Sequence, residues 1–189
     1  MKIGYCGEGN ADEAFLKGLA HRLCPDAELE RGSFRGTALV SERQQFKKTL
    51  KVLCDIKCCK YVVMLKDCDK GKWREVKKQF SIHIDSEYEH MVVIGIADRN
   101  LECWLALDRP ALAAELGCQE SEIPVNNPSS FVKSRFGVRS RCRIEEFVKS
   151  SAPLKNWVQK GDSFKDFWEQ IRDFGKPEDC GIVARMDSD

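Results

Sequence analysis

Three short polar segments concentrate the residues that could do chemistry. Gly7-Glu8-Gly9-Asn10 places one carboxylate in a glycine-flanked turn. Asp67-Cys68-Asp69-Lys70-Gly71 carries two carboxylates at i and i+2, and Asp98-Arg99-Asn100-Leu101-Glu102 ends on a further acid. Like charges gathered at one edge repel and desolvate one another, so such a set calls for a cation. A donor set made only of oxygens selects Mg²⁺ or Mn²⁺ over zinc, and Mg²⁺ binds through one or two carboxylates together with substrate phosphates. An acid at a helix start also serves the helix dipole, and Asp-x-Asp also occurs as a solvated turn. It is the joint placement that points to one site.

The elements around these segments set that placement. Apolar runs at Ile3–Cys6, Tyr61–Leu65 and Met91–Ala97 read as strands, and each acidic segment directly follows one of them. Helical periodicity follows at Asp12–Leu23, with Phe15, Leu16, Leu19 and Leu23 on one face, and at Ser41–Lys57, with Phe46, Leu50 and Leu53 inward and Ser41 as N-cap. A further strand is expected between Glu28 and Val40, a helix over Trp73–Phe80, and the start of another over Glu102–Leu107. This alternation predicts an α/β fold, a mostly parallel sheet flanked by helices. In such sheets ligands bind outside the carboxyl ends of the strands, where all three acidic segments fall. Beyond Gly117 the chain turns to loop chemistry and then to helical segments. The expected organisation is a core over residues 1–117 and a helical C-terminal extension over 118–189 packed on it.

The 31 Lys and Arg against 30 Asp and Glu leave a net charge of +1, which excludes no partner class. The total conceals a segregation. Residues 79–130 carry nine acids and two bases, whereas Lys133, Arg135, Arg139, Arg141 and Arg143 follow one another without an acid. That stretch, interleaved with Phe131 and Phe136, is a candidate phosphate-binding surface or a solvated helix face. Lys70 and Lys72 could flank the same crevice. Cys54, Cys58 and Cys59 lack the paired spacing of a zinc site, and His21, His83 and His90 are scattered, so the ten cysteines are expected to be mostly small core residues. No leader-like segment follows Met1, and a reducing cytoplasm is the expected compartment. No apolar run approaches the roughly 20 residues of a membrane span.

Strand–Glu8–helix followed by strand–Asp67-x-Asp69-x-Gly71 resembles the TOPRIM pattern. That fold is shared by topoisomerases, bacterial primases, overcoming-lysogenization-defect nucleases, recombination-repair proteins and a small ribosomal-RNA maturation ribonuclease. The resemblance covers roughly residues 1–115. Asn100-Leu101-Glu102-Cys103-Trp104-Leu105 is similar to a Glu-x-Trp-Leu-like element of a TOPRIM-like family associated with prokaryotic anti-phage defence. The resemblance implies a Mg²⁺- or Mn²⁺-dependent nuclease acting on DNA or RNA, with Glu8, Asp67, Asp69 and Glu102 catalytic and Glu8, Asp67 and Asp69 binding the metal. It also implies an ATPase partner protein, since the chain has no Gly-x-x-x-x-Gly-Lys-Ser/Thr loop of its own. Tyr5, Tyr61 and Tyr88 fall in or near core elements, which argues against a topoisomerase nucleophile. Two other functions remain open from the residues: a non-catalytic nucleic-acid or partner-binding module, and a phosphatase or phosphotransferase acting on a small molecule.

Overall fold

The computed structural model describes residues 1–32, 39–69 and 71–172. Four strands, β1 (Lys2–Gly7), β2 (Glu28–Arg31), β3 (Tyr61–Asp67) and β4 (Val92–Ala97), form one all-parallel sheet in the order β2-β1-β3-β4. The helices are α1 (Asn10–Leu23), α2 (Leu39–Lys51, continued by a wider turn over Val52–Ile56), α3 (Trp73–Ser81), α4 (Leu101–Leu105) and α5 (Arg109–Leu116). The C-terminal region adds α6 (Ser129–Phe136), α7 (Ser140–Glu146, widening over Phe147–Ser151), α8 (Leu154–Lys160) and α9 (Asp162–Ile171). The protein is thus an α/β fold with a helical C-terminal region.

Expected and observed elements differ mainly at their ends. The first helix begins at Asn10, two residues before Asp12, and the second begins at Leu39, so Ser41 lies within it and is not its N-cap. The strand sought between Glu28 and Val40 occupies Glu28–Arg31, and residues 33–38 lie outside those described. The helix expected to start over Glu102–Leu107 is the short α4, which ends at Leu105; Asp108 then caps α5 by accepting the Ala111 N–H at 3.1 Å.

The period-2 alternation of the strands builds a core on each face of the sheet. Ile3, Tyr5, Val63, Leu65 and Val93 face α1 and the C-terminal helices, where Phe15, Trp104, Trp157, Phe164 and Phe167 are buried. Cys6, Val62, Met64, Ile94 and Ile96 face Phe46, Leu50, Leu53 and Phe80. The same alternation carries Asp67 to the α1 side and its neighbour Lys66 to the opposite side, over the Phe80 ring. Trp104 packs edge-on to Phe164 and donates its indole N–H to Ser163 Oγ at 2.8 Å, so the C-terminal helices share the core of the sheet. A Cβ on Gly18 would stand 2.4 Å from the Glu145 carbonyl oxygen, and this close approach lets α7 lie directly on α1. Among the described residues every cysteine is a free thiol, and no helix is long and apolar enough to cross a membrane.

Candidate functional site

The strand order reverses direction between β1 and β3, and at such a switch point the loops leaving the two strands part and open a crevice. A cleft of about 410 Å³ occupies that place. Glu8, Gly9, Asp12, Asp67 and Glu102 form its floor, and α6 and α7 supply the opposite wall with Val132, Lys133, Phe136, Ser140 and Ile144.

Each carboxylate is positioned by local backbone chemistry. Asp67 is the last residue of β3, and its Oδ1 accepts the Leu101 N–H at 2.9 Å, which ties the strand end to the first turn of α4. Glu102 follows on that turn, 2 % exposed; its carboxylate accepts the Ser129 hydroxyl at 3.0 Å and pairs with Lys133 at 3.4 Å. Asp12 sits in the first turn of α1, where its Oδ2 accepts the Gly9 N–H at 2.8 Å. Gly7 makes this turn possible, because a Cβ there would stand 2.6 Å from the Asp12 Cβ. Glu8 is the most solvent-accessible of the four and pairs with the buried Lys66 amine across the strand ends.

Crowding shows in the acidities. Burial, together with the charges of Asp12, Glu102 and Glu8, pushes the Asp67 carboxyl up from 3.8 to about 8. Burial and the charges of Glu8 and Glu102 likewise push Asp12 up to about 6, against the Gly9 hydrogen bond that favours its ionised form. In the side-chain conformations described, no three His, Cys, Asp or Glu groups among the described residues converge as a ligand set. Each carboxylate is instead turned to a partner of its own. The donors themselves are all hard oxygens with mutual repulsion to relieve, and Glu8, the most exposed of them, is held by Lys66. This chemistry fits a hard divalent cation.

Of the four acids expected at the site, Glu8, Asp67 and Glu102 come together in the cleft. Asp69 does not join them. The i, i+2 pair would share a face only if β3 continued. The strand stops at Asp67, Asp69 takes a left-handed conformation (φ 51°), and its N–H is spent on the Arg99 carbonyl at 2.8 Å. Asp69 is exposed and is not part of the cleft lining. Between the two, Cys68 does point back into the core: its sulfur accepts the Arg99 N–H at 3.2 Å, and burial raises its thiol pKa, which disfavours the reactive thiolate.

Asp12 joins the cleft although motif spacing alone marks it as an ordinary first-turn acid. A signal for it exists in the chain, since Asp12 is an acid in the first turn of the helix that directly follows the Gly7-Glu8-Gly9 turn. Lys66, a lone charge near the end of an apolar strand, is a second such signal.

The basic candidates separate. Lys133 lines the cleft. Arg135 pairs with Glu122 at 2.8 Å. Arg143 donates to the carbonyl oxygens of Arg135 and Glu115 and lies over the Phe136 ring, which is a structural role. Arg141 approaches Glu13 at 3.7 Å, and Arg139 is exposed between them. Lys72 precedes α3 and pairs with Glu75 at 3.5 Å, away from the cleft lining. Lys70 lies outside the described residues. No family model, curated protein or solved structure matches the chain.

Proposed function

We propose that the protein is a divalent-metal-dependent nuclease that hydrolyses phosphodiester bonds of DNA or RNA, as its TOPRIM-like motif order implies. The observation that carries this reading is the gathering of four carboxylates, Glu8, Asp12, Asp67 and Glu102, in one cleft at the switch point of a parallel sheet, where burial first and the neighbouring charges second hold Asp67 near pKa 8. Glu8 and Glu102 have cations of their own in Lys66 and Lys133, whereas among the described residues Asp12 and Asp67 are held by backbone N–H groups alone, which leaves that pair in want of a cation.

Asp67 and Asp12, fixed by backbone hydrogen bonds, would hold the ion, with Glu8 joining them once released from Lys66. Bound there, Mg²⁺ or Mn²⁺ supplies Lewis-acid polarisation of a phosphoryl oxygen and a lowered pKa for an attacking water. Glu8, the most exposed of the four, would take a proton from the attacking water as its oxygen bonds to phosphorus and the P–O ester bond breaks, the leaving sugar oxygen taking its proton from solvent. Lys133 stands on the facing wall, where its ammonium neutralises charge on a phosphate oxygen while Glu102 orients it. Val132, Phe136 and Ile144 keep that wall apolar and limit water around the reacting group.

The test is cleavage of labelled DNA and RNA by the purified chain with Mg²⁺ or Mn²⁺, alongside Mn²⁺ titration calorimetry. The reading expects cleavage that Asp67→Ala abolishes together with Mn²⁺ binding. A chain that neither cuts nor binds Mn²⁺ more tightly than its Asp67→Ala variant would falsify it.

A further inference from the structure

Beside the cleft lies a charged cluster that the nuclease reading does not use. Glu13 is buried on the first turns of α1, its side chain only 5 % exposed, and two arginines converge on it from different elements. Arg31, the last residue of β2, places its Nε 2.8 Å and its Nη2 2.5 Å from Oε1. Arg141, on α7, brings Nη2 to 3.7 Å from Oε2, an oxygen that accepts no hydrogen bond among the described residues. The two arginine side chains remain about half exposed, at 49 % and 45 %.

One carboxylate between two guanidiniums leaves a surplus of one positive charge, fixed in place and open to solvent. The position is equally specific. Glu13 follows Asp12 in the chain and Arg141 follows Ser140, and both Asp12 and Ser140 line the cleft. Arg31 is held beside β1 because the next residue, Gly32, donates its N–H to the Tyr5 carbonyl at 2.8 Å. The cluster therefore adjoins the cleft on its β2 side without lining it.

We propose that Arg31, hydrogen-bonded to the buried Glu13, and Arg141, ion-paired with it at 3.7 Å, form an anchor for backbone phosphates of a polynucleotide whose neighbouring phosphate enters the carboxylate cleft. Guanidinium groups bind phosphate oxygens in a planar fork; Arg31, ordered by the buried carboxylate, loses less side-chain freedom on binding than a free surface arginine does, and Arg141, which makes no hydrogen bond to Glu13, has its donors to offer a phosphate. The anchor rests on the nucleic-acid reading above and assigns it a direction, with the strand passing from the β2 side over α1 into the cleft. Arg31, far in sequence from both Asp67 and the basic stretch, belongs to the interface only because β2 lies beside β1.

The test is fluorescence anisotropy of a labelled single-stranded DNA oligonucleotide binding to the metal-free full chain in EDTA, across a KCl series. For a single strand, each arginine–phosphate pair removed lowers the slope of log affinity against log salt by about 0.7. Arg141→Gln and Arg31→Gln are each expected to lower it by about that amount and to weaken binding several-fold at low salt. Arg141→Lys is expected to keep the slope. Lys2→Gln, at the opposite end of the strands, should leave both quantities at the wild-type value. Arg141→Gln carries the test if Arg31→Gln proves too destabilised to fold, as judged by circular dichroism. A wild-type chain that binds no oligonucleotide at low salt overturns the anchor, while the nuclease reading stands or falls on the cleavage assay with Mg²⁺ or Mn²⁺. Wild-type binding with an unchanged slope in folded Arg141→Gln overturns the anchor alone, as does equal displacement of the oligonucleotide by polyglutamate at matched charge.

Discussion

Asp67 Oδ1 accepts the backbone N–H of Leu101 at 2.9 Å, so the end of β3 and the start of α4 are joined through a carboxylate whose neutral form is favoured by burial and by the neighbouring acids. The hydrogen bond needs only an oxygen, whereas the proposed chemistry needs the charge. Asp67→Asn separates the two. Its carbonyl keeps the Leu101 bond and removes a repelled charge, so the metal-free variant is expected to be more stable than wild type by about 1–2 kcal/mol at pH 8 while losing Mn²⁺ affinity. Urea denaturation in EDTA, paired with calorimetry, checks both halves.

The pH dependence of the metal-free protein follows from the same group. Its folded pKa of about 8 lies above the unfolded 3.8, so the native state holds the proton more tightly. Stability from this site is full below about pH 4 and falls as the pH rises towards 8. Asp12, raised to about 6, adds to the decline over the lower part of that window. Urea midpoints measured from pH 4 to pH 8 should therefore drop in wild type and drop less in Asp67→Asn. Saturating Mn²⁺ should flatten the wild-type curve, because a bound cation replaces the proton.

Asp69 is where the motif and the geometry part. Asp69→Gly is expected to leave Mn²⁺ affinity within about threefold of wild type and to raise stability by a few tenths of a kcal/mol, since glycine adopts φ 51° without strain. A loss of Mn²⁺ binding comparable to that of Asp67→Ala would return Asp69 to the ligand set.

Gly7→Ala tests the close turn that delivers Asp12. Its methyl would meet the Asp12 Cβ at 2.6 Å, and both atoms are fixed by strand and helix backbone. A cost of about 2–3 kcal/mol is expected from overpacking, read by urea denaturation, with Mn²⁺ affinity reduced because Asp12 is displaced.

Lys133→Ala probes the far wall. Glu102 is nearly fully buried and would keep the Ser129 hydroxyl but lose its cation. Because Lys133 is 62 % exposed and solvent screens the pair, the stability cost is expected to be only about 1 kcal/mol. The turnover of cleavage should fall far more than the affinity for Mn²⁺.

The α/β class, three strands and the burial of Phe15, Phe46, Leu50 and Leu53 were legible in the chain because periodicity is a local property that each element carries by itself. So was the association of Glu8, Asp67 and Glu102, since residues just past parallel strands share one edge of the sheet. The sequence could not show that β3 ends at Asp67, because that depends on Asp69 and Cys68 bonding to the loop after β4. Nor could it separate Lys133, in the cleft, from Arg143, spent on two carbonyls, because their neighbours come from helices distant in the chain. Composition and local pattern determined that acids would gather at a strand edge. Only the tertiary structure decided which of them meet, since left-handed turns, strand order and helix docking turn side chains towards or away from a cleft that no local segment contains.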